Sequence, residues 1–197
     1  MPSHLDLGCG LRPRNPYHHD EVYGIDIRSG LQAPGVKRIE AANLSCERIP
    51  FDSHQFDSVS AYDFFEHIPR VRVDHAGQTH FPFVQLMNEI WRVLKPGGIL
   101  YAVTPAYPHE KAFRDPTHVN IITPKTYRYF SRPYLQADMY GFVGDFSLIR
   151  QVRIHPRGAY EPQGFVRGLL RQLDGLVGKR SHLVWEMKAN QRADSHG

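Results

Sequence analysis

The sequence predicts an α/β protein in which seven strands build one mostly parallel sheet whose last strand runs antiparallel. Three observations lead there. Short apolar runs alternate with amphipathic or turn-rich segments along the chain, the rhythm of β-α units. The first run, Leu5-Asp6-Leu7, ends in Gly8-Cys9-Gly10, two glycines one residue apart. The second, Tyr23-Gly24-Ile25-Asp26-Ile27, carries an acid near its end. Glycines at a strand end let a ligand approach backbone that a side chain would block. An acid at the end of the next strand can accept hydrogen bonds from a ribose diol. Together the two features describe a nucleoside site; neither does so alone.

The elements follow in order. Residues 5–7 form the first strand, and Pro13 and Pro16 keep any helix in the first crossover short or late. Residues 22–27 form the second strand, 36–42 a weaker third and 56–62 a buried fourth. Phe83, Met87, Ile90 and Leu94 then share one helical face, with Trp91 beside them. Lys95-Pro96-Gly97-Gly98 stops that helix, and residues 99–104 form the fifth strand. Thr123-Pro124 opens another helix, with threonine as cap, proline at the first position, and Tyr127 and Phe130 facing inward. Phe146, Leu148, Val152 and Ile154 mark the sixth strand. Val166, Leu169, Leu170, Leu173 and Val177 make an amphipathic helix ended by Gly178. Leu183, Trp185, Met187 and Ala189 alternate with more polar neighbours, which fits an antiparallel edge strand. Residues 1–190 read as a single domain and 191–197 as a frayed, disordered tail.

Composition agrees with a soluble globular chain. The 197 residues suffice for one full core, and 41% hydrophobic with 22% charged residues is the ordinary balance. Cys9 and Cys46 offer no disulfide framework and no zinc spacing, so a reducing cytoplasm is the simpler location. No apolar segment spans a membrane, and Asp6 interrupts the place where a signal sequence needs an apolar run. The net charge of +4 comes from scattered basic residues, which describe a solvated surface and disfavour nucleic acid as a partner. His18-His19-Asp20 is contiguous and poorly spaced for one metal ion, so no metal is expected.

By its motifs the chain resembles the class I S-adenosylmethionine (SAM)-dependent methyltransferases, in their small-molecule methyltransferase-domain branch. The carriers are Leu5-Asp6-Leu7-Gly8-Cys9-Gly10, Gly24-Ile25-Asp26, Ile49-Pro50-Phe51 with Gln55-Phe56-Asp57-Ser58-Val59, Glu66-His67-Ile68, and Glu89-Ile90-Trp91-Arg92-Val93-Leu94-Lys95-Pro96-Gly97-Gly98. Each is weak alone; their order and spacing are specific. The resemblance implies a Rossmann-like three-layer sandwich and SAM as cofactor, with S-adenosylhomocysteine as product. It implies that Gly8, Cys9 and Gly10 floor the cofactor site and that Asp6 meets the methionine ammonium, directly or through water. Asp26 would hold the ribose and Ile27 would lie beside the adenine. Asn43-Leu44 stands where relatives commonly have an aspartate facing the adenine amino group, so here the acceptor oxygen stays and the charge is lost. Tyr62 and Asp63 would line the methionine end. Two neighbouring readings fall away. A dinucleotide fingerprint wants a third glycine where Leu11-Arg12-Pro13 stands, and Ala61-Tyr62-Asp63-Phe64 replaces the signature of nucleic-acid amino methylation.

Methyl transfer from a sulfonium depends on alignment, and a hydroxyl acceptor also benefits from a general base. His67, after the fourth strand, and His118, in Arg114-Asp115-Pro116-Thr117-His118, are the candidates. Asp115 either orients His118 or pins the loop by capping. The acceptor expected is a small molecule, a glycan or a lipid precursor, methylated at oxygen. Only Met1 to His4 precede the first strand. The pocket is therefore open, closed by the segment 70–82, or completed by a second subunit in a homodimer. Two alternatives remain: a SAM-binding scaffold without turnover, suggested by the short N-terminus, and an RNA methyltransferase, suggested by the basic balance.

Overall fold

In the computed structural model, which describes residues 1–156 and 180–191, the apolar runs become strands. These are β1 (Ser3–Leu7), β2 (Glu21–Asp26), β3 (Arg38–Ala41), β4 (Phe56–Tyr62), β7 (Leu94–Pro105), β8 (Phe146–Ile154) and β9 (His182–Ala189), with a small hairpin of β5 (Arg72–Val73) and β6 (Thr79–His80) between β4 and β7. The seven long strands form one sheet in the order β3-β2-β1-β4-β7-β9-β8. β1, β2, β3, β4 and β7 pair in parallel, and β9 runs antiparallel to both β7 and β8.

The last strand is antiparallel as expected but is not at the edge. β9 is wedged between β7 and β8, and β8 takes the edge. Part of the face that carries its polar residues is covered: Val184 packs with Tyr62 and Val103, and Glu186 accepts a hydrogen bond from the Tyr17 hydroxyl at 2.7 Å. Alternation alone cannot tell that surface from solvent.

One sheet face is covered by α1 (Pro82–Val93), whose Phe83, Leu86, Met87, Ile90 and Val93 are buried. Leu5, Leu7, Val59, Ala61, Leu100 and Ala102 meet it from the sheet, every second residue of their strands. The helix ends one residue before the sequence suggests. Leu94 is already extended (φ −73°, ψ 137°) and pairs with Phe56. Residues 95–98 then bulge out before Ile99 pairs with Ser58. Gly98 is needed there: a Cβ would lie 2.9 Å from the Lys95 carbonyl and 3.1 Å from that of Asp57.

The Thr123-Pro124 helix is reduced to a single 3₁₀ turn, Thr126–Tyr129. Thr126 Oγ1 accepts from the Thr123 N–H at 3.0 Å and also bonds the Thr123 hydroxyl, contacts that hold the start of the turn. Phe130 is nonetheless buried, and Tyr127 packs partly against the core. The amphipathic helix expected at Val166 to Val177 and the tail beyond Gln191 lie outside the described residues.

The face opposite α1 is covered by the first crossover, residues 8–20, which contains no helix. Arg14 sets its guanidinium 4.5 Å over the Tyr62 ring, and Tyr17 meets Tyr101 edge-on. Beneath it runs a buried polar chain. The His4 ring bonds Ser58 Oγ (2.6 Å) through Nδ1 and Ser60 Oγ (2.8 Å) through Nε2. Ser60 donates to Asp6 Oδ1 (2.6 Å), and the Arg14 N–H donates to Asp6 Oδ2 (2.8 Å). Desolvation disfavours charge on both ends of this chain. It lowers His4 to about 3, helped by the nearby His19, and raises Asp6 to about 6 against the pull of Ser60 and Arg14.

These two shifts act oppositely on stability. Between about 3 and 6.5 the unfolded chain binds the His4 proton that the fold refuses, so stability falls as pH drops below 6.5. Asp6 is protonated more readily in the fold; its contribution is full below about 3.8 and is lost as pH rises through about 6. His4→Asn removes only the first effect. From pH 7 to pH 5 its stability should improve relative to the parent chain by about 1 kcal/mol per unit at most, measured by urea unfolding. A difference that does not change with pH would show that His4 is not held neutral.

Candidate functional site

The site grows from the carboxyl ends of β1 to β4, where the strand order reverses on either side of β1. Open α/β sheets leave a crevice at such a point. Here it is a cleft of about 270 Å³ lined by the turn after β1, the end of β2, residues 42–45, and the segment after β4.

Gly8 lines it with φ +65°, and a Cβ there would come within 2.6 Å of the Phe64 ring. Both the backbone and the space demand glycine. Asp26 is held from three directions. The Gly10 N–H donates to Oδ2 at 2.9 Å and the Arg28 N–H to Oδ1 at 3.0 Å. The Arg28 guanidinium bonds both oxygens, Nε to Oδ1 at 2.8 Å and Nη2 to Oδ2 at 3.3 Å. The guanidinium above all, then the two N–H groups, keeps the Asp26 carboxyl below the usual carboxylate range, so it stays ionised.

Of the residues singled out by sequence, Gly8, Asp26, Ile27, Asn43, Leu44 and His67 converge on this cleft. Ile27 stands at its rim, 70% exposed. The Asn43 side-chain oxygen accepts from the Ser45 N–H at 3.1 Å, so its acceptor already serves a local turn. Cys9 is buried, its N–H donating to the Ile25 carbonyl and its thiol pushed up to about 12, chiefly by desolvation. Asp6 is 1% exposed and lies behind the cleft in the polar chain. Tyr62 does not line the cleft: strand alternation turns it to the opposite face, under Arg14. Asp63 (φ 49°) sets Oδ1 3.2 Å from His182 Nε2.

A second group sits beside the cleft on the 3₁₀ turn Phe65–His67, which follows β4. Its backbone is tied to the loop 115–120, for the Glu66 carbonyl accepts the N–H groups of Val119 and Asn120. Glu66 is 1% exposed. Its Oε2 accepts from the Thr104 hydroxyl at 2.9 Å, while Oε1 is buried with no hydrogen-bond partner. The His118 Nε2 is 4.0 Å from that oxygen, and the His118 and His67 rings meet edge to face, 4.9 Å apart. Desolvation, then the charges of Asp63 and Asp115, raises Glu66 to about 8.

Asp115 does not hydrogen-bond the imidazole, which lies 3.8 Å away. Its Oδ1 instead accepts the N–H (2.9 Å) and hydroxyl (2.7 Å) of Thr117, closing the turn and leaving Oδ2 towards His118. The Thr117 oxygen is also 3.0 Å from His67 Nδ1. A hydroxyl has one proton, and Asp115 takes it, so Nδ1 must be the N–H donor. His67 Nε2 then carries a free lone pair.

Sequence reasoning left Glu66, Thr117, Thr104 and Arg28 without roles. Glu66 carried no signal of burial, since Asp63, the acid just before it after the same strand, is exposed. Arg28 and the threonines had none either. The segment 70–82 forms the β5–β6 hairpin, and its Arg70, Val71 and Phe81 line a separate, more apolar cleft of about 450 Å³ with Phe130 and Tyr140. Among the described residues, the group of histidines and acids close enough to share one ion is Glu66, His67 and His118, not His18 and His19.

Comparison with known proteins agrees with this architecture. The family model described as a methyltransferase domain matches residues 5–102. A malonyl-[acyl-carrier protein] O-methyltransferase of Enterobacter lignolyticus is 28% identical over 151 residues, covering 73% of this chain and 55% of the relative. The chain thus spans about half the length of that relative. A chain in the complex between the Haloferax volcanii Trm112 methyltransferase activator and a methyltransferase is similar with a TM-score of 0.61 and 16% identity, covering 98% of this chain and 83% of that one. The [4+2]-cyclase SpnF is similar with a TM-score of 0.54 and 14% identity, covering 96% of this chain and 74% of that one. At such identities the solved structures show the fold alone.

The demand for glycine at position 8 is testable. Gly8→Ala should lose about 1–2 kcal/mol from backbone strain alone, plus the cost of displacing Phe64. Gly35 has φ +74° and open space where a methyl would stand, with no atom within 4 Å, so Gly35→Ala carries only the strain. Denaturant unfolding should show the first variant weaker than the second; equal losses would mean Phe64 yields freely.

Proposed function

Because the chain belongs to the class I SAM-dependent methyltransferase family, we propose that it binds SAM in the 270 Å³ cleft and transfers the methyl group to a small-molecule, glycan or lipid-precursor oxygen. The observation that carries this reading is the convergence of an obligate glycine and an ionised, buried-edge carboxylate at the strand-order reversal. Gly8, with Cys9 and Gly10 behind it, gives the cofactor backbone to lie against. Asp26 accepts from the ribose hydroxyls, while Ile27, Asn43 and Leu44 flank the adenine. Asp63 is the exposed acid for the methionine ammonium. Asp6 and Tyr62 act from behind, Asp6 by holding the Arg14 N–H and so the turn after β1.

When bound, SAM supplies a methyl on an already activated leaving group, so placement of the acceptor oxygen governs the reaction. Glu66, His67 and His118 are the polar groups beside the cleft that can position that oxygen and handle its proton. The O-methyltransferase relative supports oxygen as the target. A cytoplasmic location, a single domain over residues 1–190 and a homodimer complete the proposal; among the described residues no helix is long and apolar enough to cross a membrane.

A second reading has its own observation. Arg28 occupies both oxygens of Asp26, the state expected of a module that keeps the fold without turnover. Calorimetry with SAM and S-adenosylhomocysteine separates the two. Asp26→Ala should weaken binding by about 1–3 kcal/mol. Arg28→Ala should tighten it several-fold, since the ribose no longer competes with a guanidinium; weaker binding would mean that Arg28 itself holds the ligand. No binding of either compound at millimolar concentration would remove the cofactor reading.

His118→Ala should lower turnover about 100-fold or more and leave cofactor affinity nearly unchanged. The assay is S-adenosylhomocysteine release with a panel of hydroxyl and carboxyl acceptors that includes malonyl-acyl carrier protein. An effect on the Michaelis constant alone would assign His118 to acceptor positioning. Unaltered turnover would take it out of the reaction.

A further inference from the structure

We propose that Glu66, His67 and His118 bind a divalent first-row transition cation, of the Zn²⁺ or Mn²⁺ class, at the mouth of the cofactor cleft. One ligand atom from each of these three residues lies within 4.8 Å of the others. A tetrahedral Zn²⁺ with bonds of about 2.1 Å keeps its donors about 3.4 Å apart. Closing the site therefore asks for about 1 Å of side-chain movement, with no backbone change.

Three features beyond proximity point to an ion. The first is the orphaned Glu66 Oε1, a carboxylate oxygen buried without a hydrogen-bond partner on a residue 1% exposed. Buried polar atoms are rarely left unpaired, and this one lies 4.0 Å from the His118 Nε2. The second is the orientation of His67. Its Nδ1–H is engaged by Thr117, which is itself held by Asp115, so the free lone pair is on Nε2. Metal-binding histidines carry such an outer partner, which fixes the tautomer and raises ligand basicity. The third is the donor chemistry. Two imidazoles and one carboxylate suit transition ions better than Mg²⁺ or Ca²⁺, which prefer all-oxygen shells. Asp115, 3.8 Å from His118 Nε2, adds negative charge beside the site.

Three protein ligands leave coordination positions open to water or substrate. His67 also lines the cofactor cleft, so an acceptor oxygen bound there would face the transferable methyl, a consequence that rests on the methyl-transfer reading. That oxygen would lose its O–H proton to solvent on coordination. Its lone pair would form the new O–CH₃ bond while the C–S pair stays on sulfur, turning the sulfonium into a thioether.

The test needs no cofactor, so its outcome is independent of SAM binding. The full chain, stripped with a chelator, is titrated with ZnCl₂ and with MnCl₂ by calorimetry, and bound metal is counted after dialysis. One ion per chain with micromolar or tighter affinity is expected. Glu66→Gln and His67→Asn should each weaken it at least about 10-fold, and Thr117→Val by about 10-fold through the lost outer partner. His18→Asn with His19→Asn should leave it unchanged. Glu66 is buried, so if its variant does not fold, His67→Asn and the exposed Thr117→Val decide. Absence of stoichiometric binding to the folded parent chain would overturn the proposal. So would binding that survives His67→Asn, or that is lost with His18 and His19.

Discussion

The polar chain His4–Ser58/Ser60–Asp6–Arg14 is the constraint on which the site depends. It lies where β1 and β4 pair, on the face turned away from α1, and all four strand side chains are buried. Apolar residues there would hold the sheet equally well, but they would not grip the loop that follows. Asp6 takes the Arg14 N–H and so pulls the first crossover onto the sheet. That places the turn at Gly8 and lets the Gly10 N–H reach Asp26 across the gap between β1 and β2. A buried imidazole is costly to charge, which is why the polar chain that shapes the cleft also makes the fold sensitive to acid, through His4.

Two carboxylates near the cleft are driven apart by their surroundings. Asp26 has a guanidinium and two N–H groups and remains ionised. Glu66 has one hydroxyl and an unpartnered oxygen, and burial pushes it upward. Pairs of acids whose environments separate them in this way commonly divide binding from chemistry. Asp26 is suited to hold a neutral polyol, because a guanidinium and two N–H groups favour its charged form. Glu66 is suited to a proton or a cation, because its environment does not satisfy it.

Much of the fold was legible because apolar residues recur at strand spacing between turn-rich segments, and 56–62 and 146–154 match β4 and β8 residue for residue. The misread elements share a cause. Leu94 satisfies the helical period and the buried start of β7 equally, so periodicity extends the helix by one residue. The alternation of β9 looks like an edge because polar residues paired under a loop resemble polar residues in water. Thr123-Pro124 has the chemistry of a helix start, yet only the single turn Thr126–Tyr129 follows it. In the site, the glycines and Asp26 were legible because backbone geometry dictates them. Tyr62 was placed at the methionine end together with Asp63 by the family resemblance, whereas adjacent residues of a strand point to opposite faces.

Glu66 was hidden for a different reason, and that reason links the two halves of the site. Its importance comes from contacts with Thr104 on β7 and from the loop 115–120, none of which sequence separation reveals. Phe64, Glu66 and His67 are nevertheless neighbours on one short turn. Phe64 packs against Gly8, His67 lines the cleft, and Glu66 faces His118. The turn also holds the loop of His118 through two backbone hydrogen bonds to the Glu66 carbonyl. The cleft and the histidine cluster therefore share one short stretch of backbone. The cleft and the histidine cluster meet on this turn, so under the proposed function an acceptor site can diverge in the loop beyond His118 while the cofactor half stays recognisable.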